Sequence, residues 1–168
     1  MTALTGGATV HASAVLVGAR AVLIRGPAGS GKSRLVMALL DANATGLLPF
    51  ARLVADDRVL LEERNGRLLA RPPEALAGFL ELRGLRIRRL PYEPVATLGW
   101  VVDLAAEGAK RLPEADDLSA TLLSVTLPRI AVHPCADAAA MLLAALRGRD
   151  AGTVRWAYHF TATQQLTI

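Results

Sequence analysis

An apolar run, Ala21-Val22-Leu23-Ile24, leads into Gly26-Pro27-Ala28-Gly29-Ser30-Gly31-Lys32-Ser33, and a helical pattern, Leu35-Val36-Ala38-Leu39, leaves it. A strand, a glycine-rich turn and a helix in that order set a helix N-terminus at the end of a sheet. Glycines let the backbone curl so that several N–H groups turn inward, and the helix behind them adds partial positive charge. The segment therefore predicts a cradle for the phosphates of a nucleoside triphosphate. In such a cradle Lys32 reaches the β and γ phosphates, and the Ser33 hydroxyl serves Mg²⁺ that accompanies the nucleotide. The plainer reading is a glycine-rich turn. Against it, the chain has 17 Arg and only two Lys, and one of those two stands where the motif needs it.

With 168 residues the chain fits one domain, taken as 1–168, with room for a real core. A hydrophobic content of 52% with 20% charge places it among globular chains and excludes the disordered class. Cys135 is the sole cysteine, so no internal disulfide forms and no zinc-ligand spacing arises. Arg20, Asp103 and Arg147 interrupt the apolar stretches before they reach spanning length, and the N-terminus lacks a secretory pattern; the expectation is a cytoplasmic protein without a membrane. A net charge of +4 raises the question of nucleic acid, but the arginines are scattered and aromatics for stacking are few, so no nucleic-acid partner is expected.

Thr9 to Val17 and Ala21 to Arg25 read as β-runs joined by a hairpin at Gly18-Ala19-Arg20, followed by a helix from Lys32 to about Ala42. Leu53-Val54-Ala55 and Val59-Leu60-Leu61 read as strands around Asp56-Asp57, and Asn65-Gly66 predicts a type I′ hairpin. Pro72-Pro73-Glu74 resembles a helix start, and Phe79 to Leu90 reads as strand broken by Gly84. Val95 to Leu104 and Leu122 to Val132, the latter with Pro128, read as strands, and Asp137 to Leu146 as an amphipathic helix. Thr153 to Ile168 reads equally as a docked helix, a partner-binding tail or a frayed end. Hairpins on both sides of the loop argue for a mixed sheet with flanking helices, in the α/β class.

Asp56 and Asp57 end an apolar strand where a second acidic element of a phosphate-loop enzyme is expected. One carboxylate suits the Mg²⁺ shell and the other suits accepting a proton from an attacking hydroxyl; the same pair also suits an acidic turn. Glu81, between Leu80 and Leu82, suits either a solvated face or a bound cation. His11 suits phosphate contact or proton handling, and equally a structural hydrogen bond. Arg111 and the cluster Arg83, Arg86, Arg88 and Arg89 suit clamping phosphate or meeting an acidic partner, or are ordinary surface arginines.

In that order, His11, the loop, Leu53-Val54-Ala55-Asp56-Asp57 and Leu80-Glu81-Leu82-Arg83-Gly84-Leu85 resemble the catalytic domain of HPr kinase/phosphorylase, over about Thr9 to Arg147. The resemblance implies a fold like that of phosphoenolpyruvate carboxykinase and an ATP- and Mg²⁺-dependent kinase acting on a serine of the phosphocarrier HPr. It further implies that Gly26, Pro27, Ala28, Gly29, Ser30, Gly31, Lys32 and Ser33 bind ATP, that Ser33 and Glu81 attend the metal, and that His11, Lys32, Asp56, Asp57 and Arg111 are catalytic, with Asp57 the base. Longer members assemble as hexamers, so a homo-oligomer is an expectation. A small-metabolite kinase and a non-enzymatic nucleotide-binding module are the competing functions.

The chain departs from the family pattern in three places. It resembles a short form without the N-terminal domain. Arg83-Gly84-Leu85-Arg86 carries Arg86 where the pattern has glycine. The late segment tied to dephosphorylation reads Pro134-Cys135-Ala136-Asp137, without its arginine. A site lacking that cation holds inorganic phosphate less well, so phosphorolysis is expected to be weak or lost while kinase activity remains.

Overall fold

The computed structural model describes residues 7–147; the Thr153 to Ile168 segment lies outside the described residues. Strands β1 (Gly7–Val10), β2 (Ala12–Val17) and β3 (Arg20–Arg25) precede helix α1 (Lys32–Ala44). After it come β4 (Ala51–Ala55), β5 (Val59–Arg64), β6 (Arg67–Arg71), β7 (Phe79–Leu82), β8 (Arg86–Arg89), β9 (Ala96–Asp103), β10 (Ser119–Leu122), β11 (Val125–Ala131) and helix α2 (Ala138–Arg147).

Nine strands form one sheet in the order β1-β5-β6-β9-β3-β2-β4, with β11 also on β9 and β10 on β11, while β7 and β8 pair separately. β3 and β11 run parallel to β9, and the other pairs are antiparallel, so the sheet is mixed. The chain passes directly from β1 into β2 and from β4 into β5. The two ends of the strand order are thereby tied together, and the sheet curls.

The curl explains the unbroken apolar run of β3. Val22 and Ile24 pack on the face covered by Leu35, Val36 and Leu39 of α1 and Leu142 of α2. Ala21 and Leu23 face the inside of the curl with Val54, Leu61, Leu68 and Val101. A strand buried on both faces has no polar side to alternate with. Each fully buried leucine or valine here contributes about 1.5–3 kcal/mol by leaving water. α1 is amphipathic, with Leu35, Val36, Leu39 and Ala42 on its buried stripe, and so lies along the sheet behind the loop.

Several sequence expectations hold. Asn65 and Gly66, at φ 52° and 70°, turn the β5–β6 hairpin. The turn at Gly18 joins β2 to β3. Others are corrected. Thr9 to Val17 is not one strand but breaks at His11. The Leu122 to Val132 run is not one strand: Leu122 ends β10, Leu123 at φ 54° makes the turn, and β11 is the second arm of the hairpin. Pro128 is accommodated in β11 because the ladder to β9 begins only at Arg129. Pro73 begins a single 3-10 turn, Glu74–Leu76, not a longer helix. Phe79 to Leu90 is strand broken at Gly84, as expected, its two arms pairing as the β7–β8 hairpin.

Candidate active site

β3 ends at Arg25 and α1 starts at Lys32, leaving Gly26 to Gly31 as the turn between them. A Cβ at Gly26, where φ is 152°, would stand 2.6 Å from Ser30 Oγ and 3.0 Å from the Leu104 carbonyl oxygen. The loop thus packs directly on the end of β9, and only glycine fits there. Lys32 is buried, and its Nζ donates to the carbonyls of Gly26 at 2.9 Å and Pro27 at 3.1 Å. Ser30 Oγ is buried with no partner. An orphaned hydroxyl and an ammonium satisfied by loop carbonyls fit an incoming anion with several oxygens.

The acidic pair is placed by strand register. One register sets Val10 opposite Val59 in β1–β5 and Ala14 opposite Ala55 in β2–β4. Between these ladders both ribbons bend, one at His11 and the other at Asp56-Asp57-Arg58. The second bend is a three-residue turn closed by the Arg58 N–H on the Asp56 carbonyl at 2.7 Å, with Asp57 at φ 63°. It separates the two acids. Asp57 is 62% exposed, 3.3 Å from His11 Nε2 and 4.0 Å from Arg58 Nε. Asp56 is 6% exposed and accepts from Ser33 Oγ at 3.2 and 3.1 Å, from Ser13 Oγ at 2.5 Å and from the Glu81 N–H at 3.3 Å.

His11, Lys32, Ser33, Asp56 and Asp57 therefore gather around the loop and the coincident bends. Glu81 enters through its backbone, held there by fully buried Leu80, while its side chain is exposed. Arg83, just beyond it, lays its guanidinium 3.2 Å from where a Gly29 Cβ would stand. Arg111 is exposed in the connection after β9, and no hydrogen bond or ion pair joins it to the loop or the acidic pair. In the late segment, Asp137 caps α2, its Oδ1 accepting from the Ala140 N–H at 3.1 Å. Among the described residues no cluster of three or more His, Cys, Asp or Glu could hold a metal ion. The Ser33 hydroxyl and Asp56 carboxylate are hard oxygen donors, which fits Mg²⁺ in the mode where substrate phosphates and water supply the remaining ligands.

Two features escaped the sequence reading. Ser13 is one; its only signal is a hydroxyl in an apolar strand two residues past His11. The other stands behind the loop, where Asp103 at the end of β9 accepts two bonds from Arg25, at 2.7 and 2.8 Å, and one from Arg129 at 2.5 Å. Burial pushes the Asp103 carboxyl up, but the hydrogen bonds and charges of Arg25 and Arg129 outweigh it and hold it below its ordinary value. This cluster ties the ends of β3 and β9 to Arg129 of the parallel β11, at the residue preceding Gly26. An acid ending one strand and an arginine ending another were visible, but not that they meet.

The fold is that of a known class. The structure matches one titled the Hpr(Ser) kinase/phosphatase from Coxiella burnetii with a TM-score of 0.68, covering 83% of this chain and 88% of that one at 23% identity. Residues 2–90 match the family model described as HPr Serine kinase C-terminal domain, and since that is more than half of the chain, the protein belongs to this family. Among curated relatives, the HPr kinase/phosphorylase of Clostridium beijerinckii is 36% identical over 78 residues, 46% of this chain and 24% of that protein. That of Clostridium tetani is 39% identical over 70 residues, 42% and 21% of the respective lengths. The matched stretch thus spans less than a quarter of either relative. The family match contains His11, the loop, Asp56, Asp57 and Glu81, and stops before Arg111 and Pro134. Among the described residues no helix is long and apolar enough to cross a membrane.

Proposed function

We propose that this chain is a cytoplasmic, ATP-dependent protein serine kinase that phosphorylates an HPr-type phosphocarrier. The observation that carries the reading is the junction of Ser33 with Asp56 beside the exposed Asp57–His11 pair, all at the mouth of a glycine loop that holds Lys32. Free backbone N–H groups along Gly26 to Ser33, of which Pro27 supplies none, bind the phosphates of ATP, and Lys32 exchanges its loop carbonyls for phosphate oxygens. Mg²⁺, when bound with ATP at Ser33 and Asp56 with Glu81 nearby, supplies neutralisation of phosphate charge. Asp57, reachable from solvent, takes the proton of the substrate serine as its oxygen bonds to the γ-phosphorus and ADP leaves. His11 orients Asp57. Arg111 joins only if its connection closes over the bound substrates.

The reading extends to weak or absent phosphorolysis. In Pro134-Cys135-Ala136-Asp137 no arginine is available, and Asp137 is engaged as the cap of α2. A homo-oligomer, as in longer members, also belongs to this reading. The test is incubation of the chain with labelled ATP, Mg²⁺ and purified HPr. Label is expected on a serine of HPr, and Asp57→Asn is expected to lower transfer about 10²- to 10⁴-fold with nucleotide affinity retained. Absence of label with folded wild-type chain, or transfer surviving in Asp57→Asn, would refute it.

A further inference from the structure

Three polar or charged residues are buried among the described residues, Ser13, Lys32 and Asp56, and all three lie at this site. Lys32 and Asp56 have roles in the proposed chemistry. Ser13 has none, although it is fully enclosed and makes the shortest bond to Asp56.

We propose that Ser13 is a positioning residue: its hydroxyl, donated across the β2–β4 ribbon to Asp56 Oδ1, aims the Asp56 carboxylate at Ser33 for metal binding. The proposal rests on the reading of Ser33 and Asp56 as the groups that attend Mg²⁺.

The geometry supports aiming over mere satisfaction of a buried acid. Ser13 is the next position in the register that pairs Ala14 with Ala55, so it faces Asp56 directly. β2 is hydrogen-bonded on both sides, to β3 and β4, which gives the hydroxyl a fixed base. A register shift follows at once, between Ala14 and Val15, and such a bulge redirects the strand end and the side chain it carries. Asp56 is then gripped from two directions. Ser13 holds Oδ1 from the strand side, and the Glu81 N–H holds Oδ2 from the hairpin side at 3.3 Å. With both oxygens held, the plane of the carboxylate is set, and Ser33 Oγ lies almost equally far from each oxygen, at 3.2 and 3.1 Å. Without Ser13, one lone pair of Asp56 faces an apolar strand and the carboxylate is free to turn. A partner that orients a ligating carboxylate typically governs metal affinity by about 10- to 100-fold.

The experiment uses the full chain and Mn²⁺ as the probe. Mn²⁺ binding is followed by water-proton relaxation in the presence of a saturating non-hydrolysable ATP analogue, and nucleotide affinity is measured separately in EDTA. Ser13→Ala is expected to weaken Mn²⁺ binding about tenfold or more while metal-free nucleotide affinity stays within about twofold. Ser13→Thr, which keeps the hydroxyl, is expected to restore most of it, and Ser13→Cys, a weaker donor of similar size, to fall between. Wild-type Mn²⁺ affinity in Ser13→Ala overturns the proposal. So does an equal loss of metal-free nucleotide affinity, which would mark general loosening. A wild-type chain that binds neither nucleotide nor Mn²⁺ instead removes the functional reading beneath it.

Discussion

Replacing Asp103 with Asn tests whether the cluster behind the loop holds the ends of β3 and β9 to Arg129 of β11. The wild-type side chain is 17% exposed and takes three charge-assisted bonds, two from Arg25 and one from Arg129. Each such bond is worth about 1.5–3 kcal/mol, and breaking a fully buried pair costs about 3–5 kcal/mol. Arg25 and Arg129 keep 31% and 25% of their side-chain surface in water, so solvent recovers part of that. The expected cost is about 2–3 kcal/mol, a fall in melting temperature of about 5–10 °C for a chain of this size. The pH dependence gives a second check. Asp103 is held below its ordinary value in the folded state, so its contribution is present above the unfolded value, about 4, and is lost as pH falls through the lower folded value. Urea unfolding of wild type and Asp103→Asn should therefore differ by the full amount at neutral pH, with the two curves converging as the pH is taken down through and below 4. A neutral-pH difference under about 0.5 kcal/mol would refute the reasoning, since that is the size expected of an unremarkable surface change. A gap undiminished in acid would refute its electrostatic origin.

Lys32→Ala should lower ATP affinity by about tenfold or more in calorimetry, because a charge-assisted contact to phosphate is lost. Its melting temperature should stay near wild type, since the lysine's partners are loop carbonyls that water can serve; unchanged affinity would contradict the cradle. Leu80→Ala should cost about 2–5 kcal/mol in urea unfolding, because Leu80 is fully buried beneath the β7–β8 hairpin. A cost below about 1 kcal/mol would mean the hairpin is not anchored there.

What was legible in the sequence is what local chemistry dictates. The loop announces itself because a tight turn before a helix needs glycines at particular steps, and the β5–β6 hairpin because Asn65 and Gly66 both suit positive φ. The turn from β10 to β11 lacks such a signal. Leu123 adopts φ 54° where no leucine preference would put it, so tertiary pairing overrides the local cost, and the run reads as one strand. Arg25, Asp103 and Arg129 are far apart in sequence, and only parallel pairing at β9 brings their ends together.

The bend at Asp56-Asp57-Arg58 joins these two kinds of information. Adjacent residues in an extended strand point to opposite faces, so two neighbouring acids on one strand would not share a site. Here the turn releases Asp57 into the left-handed region, at a cost of order 1–3 kcal/mol, while Asp56 remains in register against Ser13. One turn thus produces two environments from one residue type: a buried carboxylate fixed by Ser13, Ser33 and the Glu81 N–H, and an exposed one beside His11. That division suits the proposed roles, a metal-attending acid and a base that meets a protein substrate. The dipeptide displays the acids, but their separation into two environments is set by the coincidence of two bends, His11 on one ribbon and Asp57 on the other.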